Sequence, residues 1–295
     1  MNIVITGSLG NIGKPLTTQL VGEGHQVTVI SSNPAKQQPI EALGARAAIG
    51  FLAYTGFLVE SFSGAEAVFC MIPPDFSQPD QIRYYKNLGD NYGEAIRKTG
   101  VKRVIHLSSY GAHLPSGTGF ITGSYQVEQV LNGIPDLRLT HIRPTFFYYN
   151  LLAFIDMIKT AGFIGAVYGG KDKLAMVSPQ DIAVAVAEEL VKTEAIKAVR
   201  YVNSDNRTCE EVAAVIGRAI NKPDLQWLVL PKEEVLKTLK SHDMPEEVAN
   251  KLVELGEAIH SGLLREDYEQ HTPPLGQVKL EAYAREFAEI FKQKS

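Results

Sequence analysis

The chain has 295 residues, 45% of them hydrophobic, and its 29 lysines and arginines against 33 aspartates and glutamates leave a formal charge of -4. A chain of this length buries an ample core without disulfides or metals, and with no basic excess it lacks the field that gathers nucleic acid or an anionic membrane. Cys70 and Cys209 are too few and too far apart for a metal or disulfide framework, and no apolar stretch approaches the roughly 18 residues that span a bilayer, so a metal-free, cytoplasmic protein is expected.

Asn2 to Thr6 form an apolar strand that runs into Gly7-Ser8-Leu9-Gly10-Asn11-Ile12-Gly13 and then into a helix that reaches Glu23 and stops at Gly24. A tight strand-to-helix turn would use glycines too. Three of them at three-residue spacing in this context point instead to a dinucleotide pocket: Gly7 takes the turn, Gly10 lets the main chain approach a pyrophosphate, and Gly13 lets the helix pack on its strand. The phosphates would sit at the helix N-terminus, where free amides and the helix dipole favour an anion.

A second strand, Gln26 to Ser31, ends in Ser31-Ser32-Asn33-Pro34-Ala35-Lys36. An acid here would bind the ribose 2′-hydroxyl of NAD and repel the 2′-phosphate of NADP. Two hydroxyls, an amide and the Lys36 ammonium favour NADP(H) over NAD(H). A third strand, Arg46 to Ile49, ends at Phe51, and a fourth, Ala67 to Ile72, runs through Met71 and Ile72 to Pro73 and Pro74; both ends should border the cofactor. The helix expected over Pro79 to Thr99 carries a stripe of Ile82, Tyr85, Leu88, Tyr92 and Ile96, which reads as a core face or as a homodimer seam. Strands follow at Arg103 to Ser108 and Leu137 to Arg143.

Regular alternation lapses after Arg143-Pro144 in the run Thr145-Phe146-Phe147-Tyr148-Tyr149-Asn150. The expected fold is α/β, a doubly wound parallel sheet with a smaller, mostly helical C-terminal lobe. Residues 1–150 form the dinucleotide-binding domain and 171–205 return to it through a strand at Leu174 to Val177, a helix from Pro179 and a strand at Arg200 to Asn203. Residues 206–295, with about 151–170, form the substrate or partner lobe, whose first helix opens with Thr208 and Glu211 as a capping pair.

In order along the chain, Gly7 to Gly13, Asn33-Pro34, Ser61 to Phe69, Ile105-His106-Leu107-Ser108-Ser109, Glu128-Gln129-Val130-Leu131, Arg143-Pro144-Thr145-Phe146-Phe147 with Asn150, and Val177 to Ala183 resemble the NmrA-like group of atypical short-chain dehydrogenase/reductases. The resemblance implies a Rossmann domain, a helical lobe roofing a cleft over the nicotinamide, Ser108 beside the cofactor, and either an NADPH-dependent quinone reductase or an NAD(P)-binding regulator. Three features depart from the pattern. Phe51 stands where many relatives carry an acid for the adenine amino group, and Ser32 where many carry an arginine for the 2′-phosphate. Counting back from Glu128, Phe120 and Ser124 occupy the positions of the Tyr-x-x-x-Lys proton-donating pair, with Tyr125 and Tyr110 as the candidate substitutes.

Two functions follow from these residues. The first is a reductase that hands hydride to a quinone-like or conjugated carbonyl acceptor, held by Phe146, Phe147, Tyr148 and Tyr149 with Tyr110 and His113; the aromatics could equally be core between lobe and sheet. The second is a non-catalytic NADP(H) sensor acting through a protein partner.

Overall fold

The computed structural model describes residues 1–192, 198–241 and 244–293. The first half alternates β1 (Asn2–Ile5), α1 (Gly13–Gly22), β2 (Gln26–Ser31), α2 (Gln37–Glu41), β3 (Arg46–Ile49), α3 (Thr55–Phe62), β4 (Ala67–Cys70), α4 (Gln81–Thr99), β5 (Arg103–Leu107), α5 (Ile121–Asn132) and β6 (Arg138–Pro144). Then come β7 (Phe146–Phe147), α6 (Ile155–Thr160), β8 (Ile164–Ala166), β9 (Lys173–Val177), α7 (Pro179–Val191) and β10 (Ala198–Val202). The chain closes with β11 (Asp205–Thr208), α8 (Cys209–Ala219), β12 (Trp227–Val229), α9 (Lys232–Ser241), α10 (Glu246–His260), α11 (Glu266–Gln270) and α12 (Leu280–Gln293).

Seven strands form one parallel sheet in the order β10-β6-β5-β4-β1-β2-β3, a Rossmann-like α/β arrangement. Its direction of winding reverses between β1 and β4, the switch point at which a crevice opens beyond the carboxyl ends of the strands. Side chains alternate across the sheet: Ile3 and Ile5 join the core under α1 and α7, and Val4 joins the core under α3, α4 and α5. The α4 stripe faces inward, with Leu88, Tyr92 and Ile96 buried against α3 and α5. Asp80 caps α4 and Gly100, at φ 70°, ends it in the left-handed conformation.

Leu174 to Val177 is a strand, but it does not return to the central sheet. β9 pairs in parallel with β7 and antiparallel with β11 in a separate three-stranded sheet. The two-residue β7 sets this course by leaving the main sheet just beyond Pro144, and only α7 and β10 go back, onto α1 and β6. A third core, around Tyr148, Trp227, Phe287 and Leu280, fills the lobe. Cys70 and Cys209 are buried free thiols, pushed upward in pKa by burial. Among the described residues no helix is long and apolar enough to cross a membrane.

Candidate functional site

The glycine loop leaves β1 at the switch point and each of its glycines meets a different constraint. Gly7 has φ 95°, and a Cβ there would lie 1.9 Å from Met71 Sδ. At Gly13 a Cβ would lie 2.0 Å from the Ser8 carbonyl oxygen, so the start of α1 can approach the loop only without one. Gly10 is different: its nearest neighbour would be the Gly7 carbonyl oxygen at 3.5 Å, an ordinary contact. Asn11 is exposed beside it, Ile12 is buried under α1, and Leu9 is half-buried.

Hydrogen bonds tie this loop to the ends of β2, β3 and β4. The Ser8 amide donates to the Ile30 carbonyl at 3.0 Å, and Ser8 Oγ donates to Ser31 Oγ at 3.0 Å. Ser31 Oγ also accepts the Asn33 amide at 3.2 Å, and the Ser31 carbonyl accepts the Gly50 amide at 2.9 Å. Thr6 Oγ1 accepts the Met71 amide at 2.8 Å, while Tyr92, on α4, donates to the Met71 carbonyl at 2.7 Å. The sequence alone offered Tyr92 as a core residue; its second role as a clasp between β1 and β4 came only with the fold.

The residues expected to hold a 2′-phosphate divide into two groups. Ser31 is buried and its hydroxyl is used within the loop. Ser32 and Asn33 are exposed, with Asn33 Oδ1 taking the Ala35 amide at 2.9 Å, and Lys36 is half-buried just after them. Phe51 is 55% exposed and meets Tyr54 edge to face at 6.0 Å. Beyond β4, Met71 is half-buried, Ile72 is core and Pro73 is exposed, its carbonyl accepting the Tyr84 hydroxyl.

Leu9, Met71, Leu107 and Phe147 come from four separate loops or strand ends, yet all are half-buried against the same core. All four lie at or just beyond the carboxyl ends of β1, β4, β5 and β6. Phe147 stacks on Tyr149 at 5.0 Å with the rings 10° apart, and burial pushes the Tyr149 phenol up to about 12. Their neighbours in sequence point the other way. Phe146 is 8% exposed, and Tyr148 is wholly buried on Tyr283 with its hydroxyl donating to the Val278 carbonyl. These two therefore correct the expectation of four ligand-facing aromatics: Phe146 in β7 and Tyr148, which opens a 3-10 turn over Tyr148–Phe154, both enter the lobe core. Tyr110 is likewise enclosed in that core, where burial raises its phenol well above the ordinary range.

Phe120 precedes α5 and packs edge to face on the exposed Phe76 at 5.6 Å. Ser124 is buried within α5 and Tyr125 is half-buried next to it. Ser108 donates its hydroxyl proton to Glu128 at 2.5 Å, and Glu128 is in turn gripped by Arg143. From Arg143 the network crosses to the lobe at Asp267, 3.2 Å from Nη1, which also accepts the Tyr201 hydroxyl. His113 lies half-buried near these charges, and burial lowers its pKa. Asp267 is distant in sequence and carried no local motif.

Known proteins of similar sequence and shape include several reductases. The (4-alkanoyl-5-oxo-2,5-dihydrofuran-3-yl)methyl phosphate reductase of Streptomyces griseus is 26% identical over 225 residues, covering 75% of this chain and 74% of that one. A NADPH-dependent quinone oxidoreductase of Escherichia coli, solved with NADPH, superimposes with a TM-score of 0.82 at 21% identity, over 96% of this chain and 99% of that one. Triphenylmethane reductase of Citrobacter sp. superimposes at 0.79 with 17% identity, over 98% and 100%. The NmrA-like family model matches residues 1–273, and the chain belongs to the NmrA-like family.

Proposed function

We propose that the crevice binds NADP(H) and that the protein reduces a flat, conjugated acceptor such as a quinone. One observation carries the cofactor reading: the fold itself demands glycine at 7 and 13, whereas nothing in the chain occupies the space a side chain at Gly10 would fill. A loop that keeps this approach open before a ten-residue helix suits a pyrophosphate. Ser32, Asn33 and Lys36, with no carboxylate between Ser31 and Lys36, suit a 2′-phosphate on the adjoining ribose.

When bound, the nicotinamide would supply hydride. The chain's own part is to hold the acceptor and orient it. Leu9, Met71, Leu107 and Phe147 offer an apolar floor, and the half-buried Phe147–Tyr149 stack offers a flat aromatic wall. Phe120 has no proton to give, and the Ser108 proton is committed to Glu128. Acceptors that spread incoming charge over a ring and take a proton from water fit such a site. The names of the quinone and dye reductases of similar fold agree with this class.

The test is a parallel titration with NADPH and NADH, followed by nicotinamide fluorescence, and then a screen of quinones for NADPH oxidation. Preferential NADPH binding with turnover of a quinone supports the reading. Failure to bind either nucleotide rejects it. The phenylalanine at 120 supports a second reading, a non-catalytic NADP(H) sensor acting through a protein partner; tight NADPH binding with no turnover of any acceptor would favour it.

A further inference from the structure

We infer that Phe51 and Tyr54 form a stacking platform for the adenine of the dinucleotide, and that the base is held by its face and not read at its edge. This inference rests on the NADP(H) reading above. Phe51 and Tyr54 are 55% and 65% exposed, two large aromatic rings left to solvent within four residues of each other. Neither is loosely placed. The Gly50 amide donates to the Ser31 carbonyl at 2.9 Å, which fixes the start of the segment beside the end of β2, and Ser31 contacts Ser8 of the glycine loop.

The rest of the segment is pinned from α4. Asn91 Nδ2 donates to the carbonyls of Leu52 and Ala53 at 3.1 and 3.2 Å, and the Tyr54 amide donates to the Phe51 carbonyl at 3.1 Å. A Cβ at Gly50 would lie 2.6 Å from the Phe57 ring, so the backbone there is drawn tightly onto the core. The outcome is a rigid loop that presents two rings next to the ribose-binding turn.

Gly50 to Tyr54 includes no carboxylate and no amide side chain, and Tyr54 supplies its sole side-chain hydroxyl. Nothing in this segment accepts specifically from the exocyclic amine of adenine. A ring face, by contrast, attracts any purine, because every base has a π-face. The base specificity of the site should therefore be low while its dependence on Phe51 is high.

The experiment titrates the full chain with NADPH, with its hypoxanthine analogue, and with reduced nicotinamide mononucleotide, which lacks the adenylate half. Binding is read by fluorescence and calorimetry in the wild type, Phe51→Ala, Tyr54→Ala and Phe51→Trp. Stacking predicts a loss of about tenfold in NADPH affinity for Phe51→Ala and a smaller loss for Tyr54→Ala, with affinity kept by Phe51→Trp. The mononucleotide should bind Phe51→Ala and wild type alike, and the hypoxanthine analogue should stay within about threefold of NADPH. Undiminished NADPH binding by Phe51→Ala, an equal loss for the mononucleotide, or rejection of the hypoxanthine analogue would each overturn the platform while leaving the cofactor reading intact. Absence of NADPH binding by the wild type would overturn both.

Discussion

Arg143 grips Glu128 through two parallel hydrogen bonds, Nε to Oε1 at 2.9 Å and Nη2 to Oε2 at 2.7 Å, with both side chains almost sealed from water. Such a pair contributes little net stability over an apolar pair of the same shape, yet removing Glu128 takes the bidentate partner from a buried guanidinium and leaves it the contacts of Nη1 to Asp267 and the Tyr201 hydroxyl. Glu128→Leu is expected to destabilise the protein by about 3 kcal/mol, and Arg143→Met/Glu128→Leu by less than that single change. Urea unfolding of the set checks this; a double variant worse than the Glu128 variant alone would contradict it.

The His106 and His141 Nδ1 atoms are 3.0 Å apart on neighbouring strands, so one must donate and the other accept. Burial, then repulsion from His141 for His106 and from Arg143 for both, holds their pKa values down to about 3. The unfolded chain takes up these protons near 6.5 and the folded chain does so only near 3, so their contribution is full above pH 6.5 and lost as the pH falls. Each histidine should remove up to about 1.4 kcal/mol of stability per pH unit in that window. Unfolding free energies measured just above and about one unit below pH 6.5 should show a slope that His106→Leu/His141→Leu flattens.

The three glycines of the loop should separate stability from binding. Gly13→Ala is expected to lower stability by about 2 kcal/mol, because its Cβ collides with backbone and not with a movable side chain. Gly10→Ala should leave the melting temperature close to wild type and weaken NADPH by about tenfold or more, since only the ligand needs that space. A thermal melt and a fluorescence titration on each variant decide the matter.

Ser32 is exposed at the turn after β2. Ser32→Asp should reduce NADPH affinity by about tenfold through repulsion of a 2′-phosphate and leave NADH affinity nearly unchanged. An equal effect on both nucleotides would remove Ser32 from the phosphate site.

Thr208 and Glu211 form a reciprocal capping box on α8, with amide-to-side-chain distances of 2.7 and 3.2 Å. Thr208→Ala should lower stability by about 1 kcal/mol without altering nucleotide affinity. A change in affinity would place the start of α8 in communication with the crevice.

The capping box, the glycine loop and the inward stripe of α4 were legible in the sequence because each is local: a spacing of three, or of three and four, decides it. The sheet to which Leu174 to Val177 belongs was not legible, since an apolar run announces a strand but not its neighbours. Phe146 to Tyr149 were legible as aromatic and illegible as to direction, which the lobe core and the 10° stack of Phe147 on Tyr149 settle only in three dimensions. Asp267 reaches Arg143 across 124 positions, and Tyr92 reaches Thr6 across 86. No window along the chain could pair them.

The closing of the parallel sheet by α7 and β10 has a bearing on how the protein is made. The glycine loop and α1 leave the ribosome before α7 and β10, so the face of α1 is covered only after Val191 has been synthesised, and the edge of β6 only after Val202. Asp181, at the start of α7, then waits for the amides of Gln277 and Val278, which it accepts at 2.9 and 3.1 Å. A nascent or truncated chain stopping near residue 150 would expose an apolar helix face and an open strand edge, the surfaces that chaperones bind and that aggregates grow from. An exchange of lobes between NmrA-like proteins would succeed only if the segment from Pro179 to Val202 stayed with the sheet that it completes.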